Sequence, residues 1–254
     1  YMNSTVYING HELGTRPYGY ISFSYDLTPY IKWGEKNVVA VRVDNAEQPN
    51  SRWYSGCGIY RNVWLTKLNP VHVAQWGTYV TADEVSKNSA RLTVRTTLEN
   101  SQDVDAPLEL ISRLVDEKGK VVSEVSSQGK QLEAVQEIAV ENPELWSIDR
   151  PYLYNVKTEV RMAGAPVDTY NTPFGIRTFR FDAQKGFILN GEQVKINGVC
   201  MHHDLGCLGA AINTRAIERQ LEILKEMGCN GVRCSHNPPS PELLDLCERM
   251  GFIV

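Results

Sequence analysis

The chain has 254 residues, 42% of them hydrophobic and 22% charged, which is room for two or three ordinary globular domains. Its net charge of −4 gives no electrostatic reason to expect nucleic acid or an anionic membrane as partner. No apolar run approaches the roughly 18 residues that a membrane-spanning helix needs, and six cysteines without a Cys-x-x-Cys pair read as free thiols, not a disulfide framework.

In chain order, Tyr1-Met2-Asn3-Ser4-Thr5-Val6-Tyr7-Ile8 reads as a strand already in progress, and Asn9-Gly10 supplies the positive-φ pair of a two-residue hairpin turn. Val39, Val41 and Val43 alternate with Ala40, Arg42 and Asp44, the period of a half-buried strand. Residues 1–68 are therefore expected to be an antiparallel β-sandwich. From 69 to 178 the β texture continues: Leu92, Val94, Thr96 and Leu98 alternate, as do Tyr152, Tyr154 and Val156 after a proline-bounded loop. Turn signals at Lys118-Gly119 and Gly164-Ala165-Pro166 separate short strands, and about seven strands in this span predict an immunoglobulin-like sandwich.

After 179 the period changes. Asn190-Gly191 marks a second hairpin, 195–203 and 230–234 read as strands, and 214–227 as a helix. Ile217, Leu221 and Leu224 give that helix an apolar face, Thr214 is its expected N-cap, and Gly228 lies just past its end. Ser240-Pro241-Glu242 starts a second helix with Leu243, Leu244, Cys247 and Met250 on its apolar side, and 252–254 open a third strand. Strand, helix, strand, helix, strand is the beginning of a parallel α/β domain. Five of the cysteines (Cys200, Cys207, Cys229, Cys234, Cys247) fall here, the sixth being Cys57. The run from Cys200 to Cys207 matches no common structural zinc spacing, so no metal site is expected. The opening mid-strand and the apolar Gly251-Phe252-Ile253-Val254 read as cuts through a longer chain.

Arg52-Trp53-Tyr54-Ser55-Gly56-Cys57-Gly58-Ile59-Tyr60-Arg61-Asn62-Val63-Trp64-Leu65 resembles the end of the sugar-binding jelly roll of family 2 glycoside hydrolases. Further blocks follow in that family's order. Asn142-Pro143-Glu144-Leu145-Trp146-Ser147 with Pro151-Tyr152-Leu153-Tyr154 is similar to its immunoglobulin-like domain. Phe174-Gly175-Ile176-Arg177 with Gly186-Phe187-Ile188-Leu189-Asn190-Gly191 is similar to its entry into the barrel. Gly198-Val199 with His202-His203-Asp204, then Arg233-Cys234-Ser235-His236-Asn237-Pro238-Pro239-Ser240, resemble its first two barrel strand ends. The resemblance implies a mainly β chain: a jelly-roll (galactose-binding-like) portion over 1–68, incomplete at its N-terminus, an immunoglobulin-like β-sandwich over 69–178, and the start of a (β/α)8 barrel over 179–254.

In such a barrel, groups at the carboxyl ends of strands line the active site. An isolated histidine is more often satisfied in a core and an isolated arginine more often paired on a scaffold, but two polar clusters at successive strand ends shift the balance. The resemblance implies His202 and His236 on sugar hydroxyls, Asn237 beside them, and Arg233 holding the nucleophilic carboxylate in its charged form. It also implies Asp44 as a ligand for a sugar hydroxyl, with Asn45 a weaker candidate, against the plainer reading of Asp44 as a solvated loop residue. Trp53, Tyr54 and Trp76 have rings that could stack on a pyranose, although buried packing is the expected fate of each.

The implied function is that of a fragment of a retaining exo-β-glycosidase, most like the bacterial β-galactosidases, acting on terminal β-galactosides. Both catalytic glutamates are expected on later barrel strands beyond Val254, no catalytic residue within 1–254, and no activity from the fragment alone. The alternatives are a β-glucuronidase or β-mannosidase of the same family, or a non-catalytic carbohydrate-binding or structural module. A pocket carboxylate at Asp44 argues against glucuronate, because like charges repel. No cofactor is expected; members of the family can use sodium or magnesium near the site, for which Asp44 is the single weak candidate ligand. The expected partner is carbohydrate, with neither nucleic acid nor membrane, and the parent is compatible with a homo-oligomer. A periplasmic or secreted parent is favoured over a cytoplasmic one.

Overall fold

The first three strands are β1 (Ser4–Ile8), β2 (His11–Arg16) and β3 (Val39–Val43), seen in a computed structural model that describes residues 1–47 and 55–254. They form an antiparallel sheet in the order β2-β1-β3. The turn between β1 and β2 has Asn9 at φ 50° and Gly10 at φ 87°, the left-handed pair whose twist matches two antiparallel strands. Ile8 is fully buried, while on β3 Val41 and Val43 are half-buried and Val39 is exposed.

Seven strands follow: β4 (Val71–Asp83), β5 (Ser89–Asn100), β6 (Leu108–Val115), β7 (Val121–Gly129), β8 (Glu133–Glu141), β9 (Tyr154–Met162) and β10 (Ala165–Phe174). They make two antiparallel sheets, β4-β5-β8 and β10-β9-β6-β7. Strand alternation sends one side chain in two inward, and both sheets feed one core through Leu92, Val94, Leu114, Ile138, Val140 and Val156. Leu92, Leu114 and Val156 are completely buried. The seven strands and their two layers agree with the immunoglobulin-like sandwich expected from the sequence. The turn placed at Gly164-Ala165-Pro166 lies one residue earlier, at Ala163 (φ 51°) and Gly164 (φ 80°). Ala165 and Pro166 already belong to β10, an edge strand paired to β9 alone, where a proline removes no needed ladder bond.

Trp76 departs from its expected burial: it is 61% exposed. The register of β4 against β5 slips between Val73 and Thr78, and Trp76 sits in that bulge at φ 54°, so the pleat that would have sent it inward is broken.

Beyond the sandwich, β11 (Phe179–Asp182), β12 (Gly186–Leu189) and β13 (Glu192–Gln193) form a small antiparallel sheet, with Asn190 and Gly191 at positive φ in the two-residue turn. Trp146 is buried against Phe187 and Leu189, and its indole N–H donates to the Glu248 carbonyl at 2.8 Å. Arg177 lies over the Trp146 ring with its guanidinium carbon 4.5 Å from the centroid. Burial pulls the Arg177 guanidinium below its ordinary value, against the opposing pull of the Glu248 carboxylate. Gly175 allows this approach, since a Cβ there would lie 2.8 Å from the tryptophan side chain.

The remaining elements are β14 (Gly198–Met201), α1 (Thr214–Glu226), β15 (Gly231–Cys234) and α2 (Pro241–Met250). β14 and β15 pair in parallel, Gly198 opposite Gly231 and Met201 opposite Cys234, as an α/β crossover requires. The N-cap of α1 is Asn213, not Thr214: Asn213 is extended and its Oδ1 accepts from the Ala216 N–H at 2.9 Å. Ile217 and Leu221 bury as expected, with Leu224 half-buried. On α2 the buried pair is Leu246 and Cys247, while Leu244 is 41% exposed, so the apolar face is rotated from the expected one. Ile253 makes an isolated bridge where a third strand was expected. The chain gathers into two compact units, one of Tyr1–Trp64 and Asn197–Cys247 with Val254, the other of Leu65–Ile196 and Glu248–Ile253.

Candidate active site

The polar clusters read from the sequence stand at the carboxyl ends of β14 and β15. The parallel register sets Cys200 opposite Arg233, so both side chains leave the same face of the strand pair, while buried Val232 points to the other. Arg233 Nη1 donates to Ser235 Oγ at 3.0 Å and reaches Cys200 Sγ at 3.7 Å. Hydrogen bonds from Ser235 first and Arg233 second hold the Cys200 thiol below its ordinary value. Ser235 is almost fully buried, and its N–H donates to the Met201 carbonyl at 2.9 Å, carrying the strand pairing one residue beyond the sheet.

The next peptide, Ser235–His236, is cis. The His236 ring stands edge-on to His202, with centroids 6.2 Å apart and planes at 85°, so the structure brings together the two histidines assigned to sugar hydroxyls. Both are exposed. Asn237 follows, half-buried, with its Nδ2 donating to the Pro238 carbonyl at 3.4 Å. Its Oδ1 is buried and has no hydrogen-bond partner among the described residues.

Behind these groups lies a cavity lined by Arg61, His202, His203, Gln220, Ser235 and Asn237, with Leu205, Ile212 and Ile217 among its apolar walls. Gln220 of α1 donates to the Asp204 carbonyl at 3.4 Å, which ties the helix to the loop after β14. His203 meets Tyr20 and Tyr60, with ring centroids at 5.2 and 6.2 Å. Tyr60 donates to the Gly19 carbonyl at 2.6 Å, and burial pushes its phenol up to about 12 despite the nearby Arg61.

Asp44 lies just beyond β3 and is exposed. Its carboxylate pairs with Arg42 at 3.2 Å and accepts from the Ala46 N–H at 3.2 Å, and it is not part of the cavity lining. Asn45 donates to the Gly56 carbonyl at 3.2 Å. Trp53 and Tyr54 lie outside the described residues, as does Arg52. In the sequence Arg61 is one residue of the motif Arg52 to Leu65, and nothing local marks it as a lining residue. Its long reach, to a carbonyl 177 residues away, becomes visible only in the fold. The described residues contain no group of three or more His, Cys, Asp or Glu side chains arranged to hold a metal ion.

Residues 71–177 match the family described as glycosyl hydrolases family 2, and residues 182–254 match the TIM barrel domain of the same family. The chain belongs to glycosyl hydrolase family 2. Among its relatives in the family is the β-galactosidase BoGH2A of Bacteroides ovatus, 65% identical over 259 residues that include the whole of this chain and 30% of the relative. A β-glucuronidase of Formosa agariphila is 33% identical over 98% of this chain and 28% of its own length. A family 2 crystal structure from Bacteroides cellulosilyticus superposes with a TM-score of 0.96 at 40% identity, over 99% of this chain and 33% of that one. The chain thus spans about a third or less of the length of these family members.

Proposed function

We propose that this chain is one portion of a retaining exo-β-glycosidase that releases terminal β-linked galactose from oligo- or polysaccharides. The observation that carries the reading is 65% identity along the whole chain to a family member named as a β-galactosidase. The geometry supports it: polar side chains gather at the carboxyl ends of two parallel strands, where a (β/α)8 barrel keeps its chemistry.

In this reading His202 and His236 hydrogen-bond sugar hydroxyls, and Asn237, which lines the cavity beside them, contributes to the same pocket wall. Asp44 accepts from a further hydroxyl. Arg233, whose guanidinium sits on the same face as Cys200, keeps the nucleophilic carboxylate ionised by its charge. The acid/base and nucleophile are two glutamates about 5–5.5 Å apart, as retention requires, and they come from parts of the parent enzyme outside residues 1–254. This chain binds and orients; it does not by itself form or break the glycosidic bond.

A second reading, β-glucuronidase, is favoured by the Formosa agariphila relative. Galactose is preferred because identity to the β-galactosidase is 65%, against 33% to that β-glucuronidase. The test is to assay the full-length parent on the nitrophenyl β-galactoside, β-glucuronide and β-mannoside, beside the 254-residue chain alone. Hydrolysis of the galactoside by the parent and of nothing by the chain is the expected result. A preference for the glucuronide would replace the galactose assignment, and turnover by the chain that survives contaminant controls would place the catalytic pair inside it.

A further inference from the structure

The loop that carries His236 and Asn237 is braced from a segment remote in sequence. Arg61 donates through Nη2 to the Pro238 carbonyl at 2.9 Å and through Nη1 to the Tyr20 carbonyl at 2.9 Å. Its guanidinium carbon lies 5.3 Å from the centroid of the Tyr60 ring. The next residue, Asn62, donates to the Glu242 carboxylate in the first turn of α2 at 2.5 Å. The residue before, Tyr60, accepts from the Ile212 N–H at 2.9 Å. Three consecutive residues thus grip the loop after β15, the start of the helix that follows it, and the segment leading into α1.

The Pro238 carbonyl is the shared point. It accepts from Arg61 and also from the side chain of Asn237, so removing the guanidinium frees the carbonyl and loosens the asparagine beside it. A lysine cannot replace this contact. Arg61 reaches its two carbonyls from two nitrogens held apart in a rigid plane, whereas an ammonium gathers its donors on one atom at the end of a flexible stem and is not held in that geometry. Arg61 is itself half-buried and lines the same cavity as His202 and Asn237.

We infer that Arg61 is a positioning residue that sets the geometry of the His236–Asn237 loop for substrate, acting through the Pro238 carbonyl and without touching the sugar. This rests on the proposed glycosidase function. The loop's contacts bind substrate and transition state alike, so their disorder raises KM and leaves kcat little changed.

The test compares Arg61→Lys and Arg61→Ala with wild type in the full-length parent. Loss of one charge-assisted hydrogen bond predicts a KM about tenfold higher for the galactoside in both variants, with kcat altered less than about threefold. A merely structural loss would instead lower kcat per total protein with KM unchanged. KM equal to wild type in a folded Arg61→Lys variant overturns the inference while leaving the glycosidase reading intact. If the wild-type parent hydrolyses no glycoside, the function fails, and hydrogen exchange still decides the brace. The amides of His236, Asn237 and Ser240, which flank two prolines that carry none, should exchange at least about tenfold faster in Arg61→Lys than in wild type, and unchanged exchange there overturns it. Should Arg61→Ala not fold, Arg61→Lys carries both measurements.

Discussion

The sandwich of β4 to β10 and the strand pair β14/β15 are built on opposite principles. In the sandwich, seven antiparallel strands close two sheets over a shared core, and Leu92, Leu114 and Val156 are sealed completely. The parallel pair has two strands and two helices, and it presents Cys200, His202, Arg233 and His236 to solvent. Elsewhere in the same compact unit, Val63 and Trp64 are 72% and 81% exposed. The sandwich supplies stability through apolar burial; the strand pair supplies polar groups held by hydrogen bonds. Apolar burial and exposed polar groups are thus concentrated in different regions, and substitutions should separate them.

The largest effect is expected in the sandwich. Leu114→Ala removes a completely buried side chain between two sheets and should cost about 2–5 kcal/mol. Trp64→Ala, at an exposed position, should change stability by less than about 0.5 kcal/mol. Urea denaturation of both variants checks the pair, and equal losses would mean that the contrast in burial does not govern stability.

A smaller loss follows at Gly175. A methyl group there would meet the Trp146 side chain at 2.8 Å, so Gly175→Ala should cost about 1–3 kcal/mol through overpacking. Thermal unfolding that matches wild type would show that the tryptophan can yield.

In the other unit, the cap of α1 offers a sharper test of what sequence reading missed. Asn213→Ala should cost about 1 kcal/mol, read as faster amide exchange in the first turn of α1. Thr214→Ala should change little, because the threonine lies inside the helix. Equal effects would return the capping role to Thr214.

The last effect is confined to high pH. Tyr60 holds its proton to about pH 12 in the fold, whereas an unfolded tyrosine loses it near about 10. The folded state therefore binds more protons between these values, and stability that is intact below about pH 10 falls as the pH climbs towards 12. Urea midpoints at pH 9 and 11 should drop further for wild type than for Tyr60→Phe; parallel drops would remove Tyr60 from the account.

Much of this was legible in one dimension because it depends on local periodicity. Leu92, Val94, Thr96 and Leu98 alternate and all four are buried. Asn9-Gly10 and Asn190-Gly191 mark two-residue turns because few other dipeptides accept positive φ twice. The mainly β architecture and the change to parallel strands from Gly198 follow from the same kind of signal, and the family resemblance rested on blocks of contiguous residues. Three features escaped because tertiary contacts settle them. Asn213 and Thr214 are both good caps by chemistry, and only the backbone angle at 213 chooses between them. Trp76 would have alternated inward but for a bulge set by how β4 pairs with β5. Arg61 looks like any charged residue at a motif's end until the fold brings the Pro238 carbonyl to it across 177 positions. Local spacing determines which residues can form a strand, a turn or a helix. Which polar groups meet across the chain is decided by packing, since a hydrogen bond between distant residues leaves no periodic trace in the sequence.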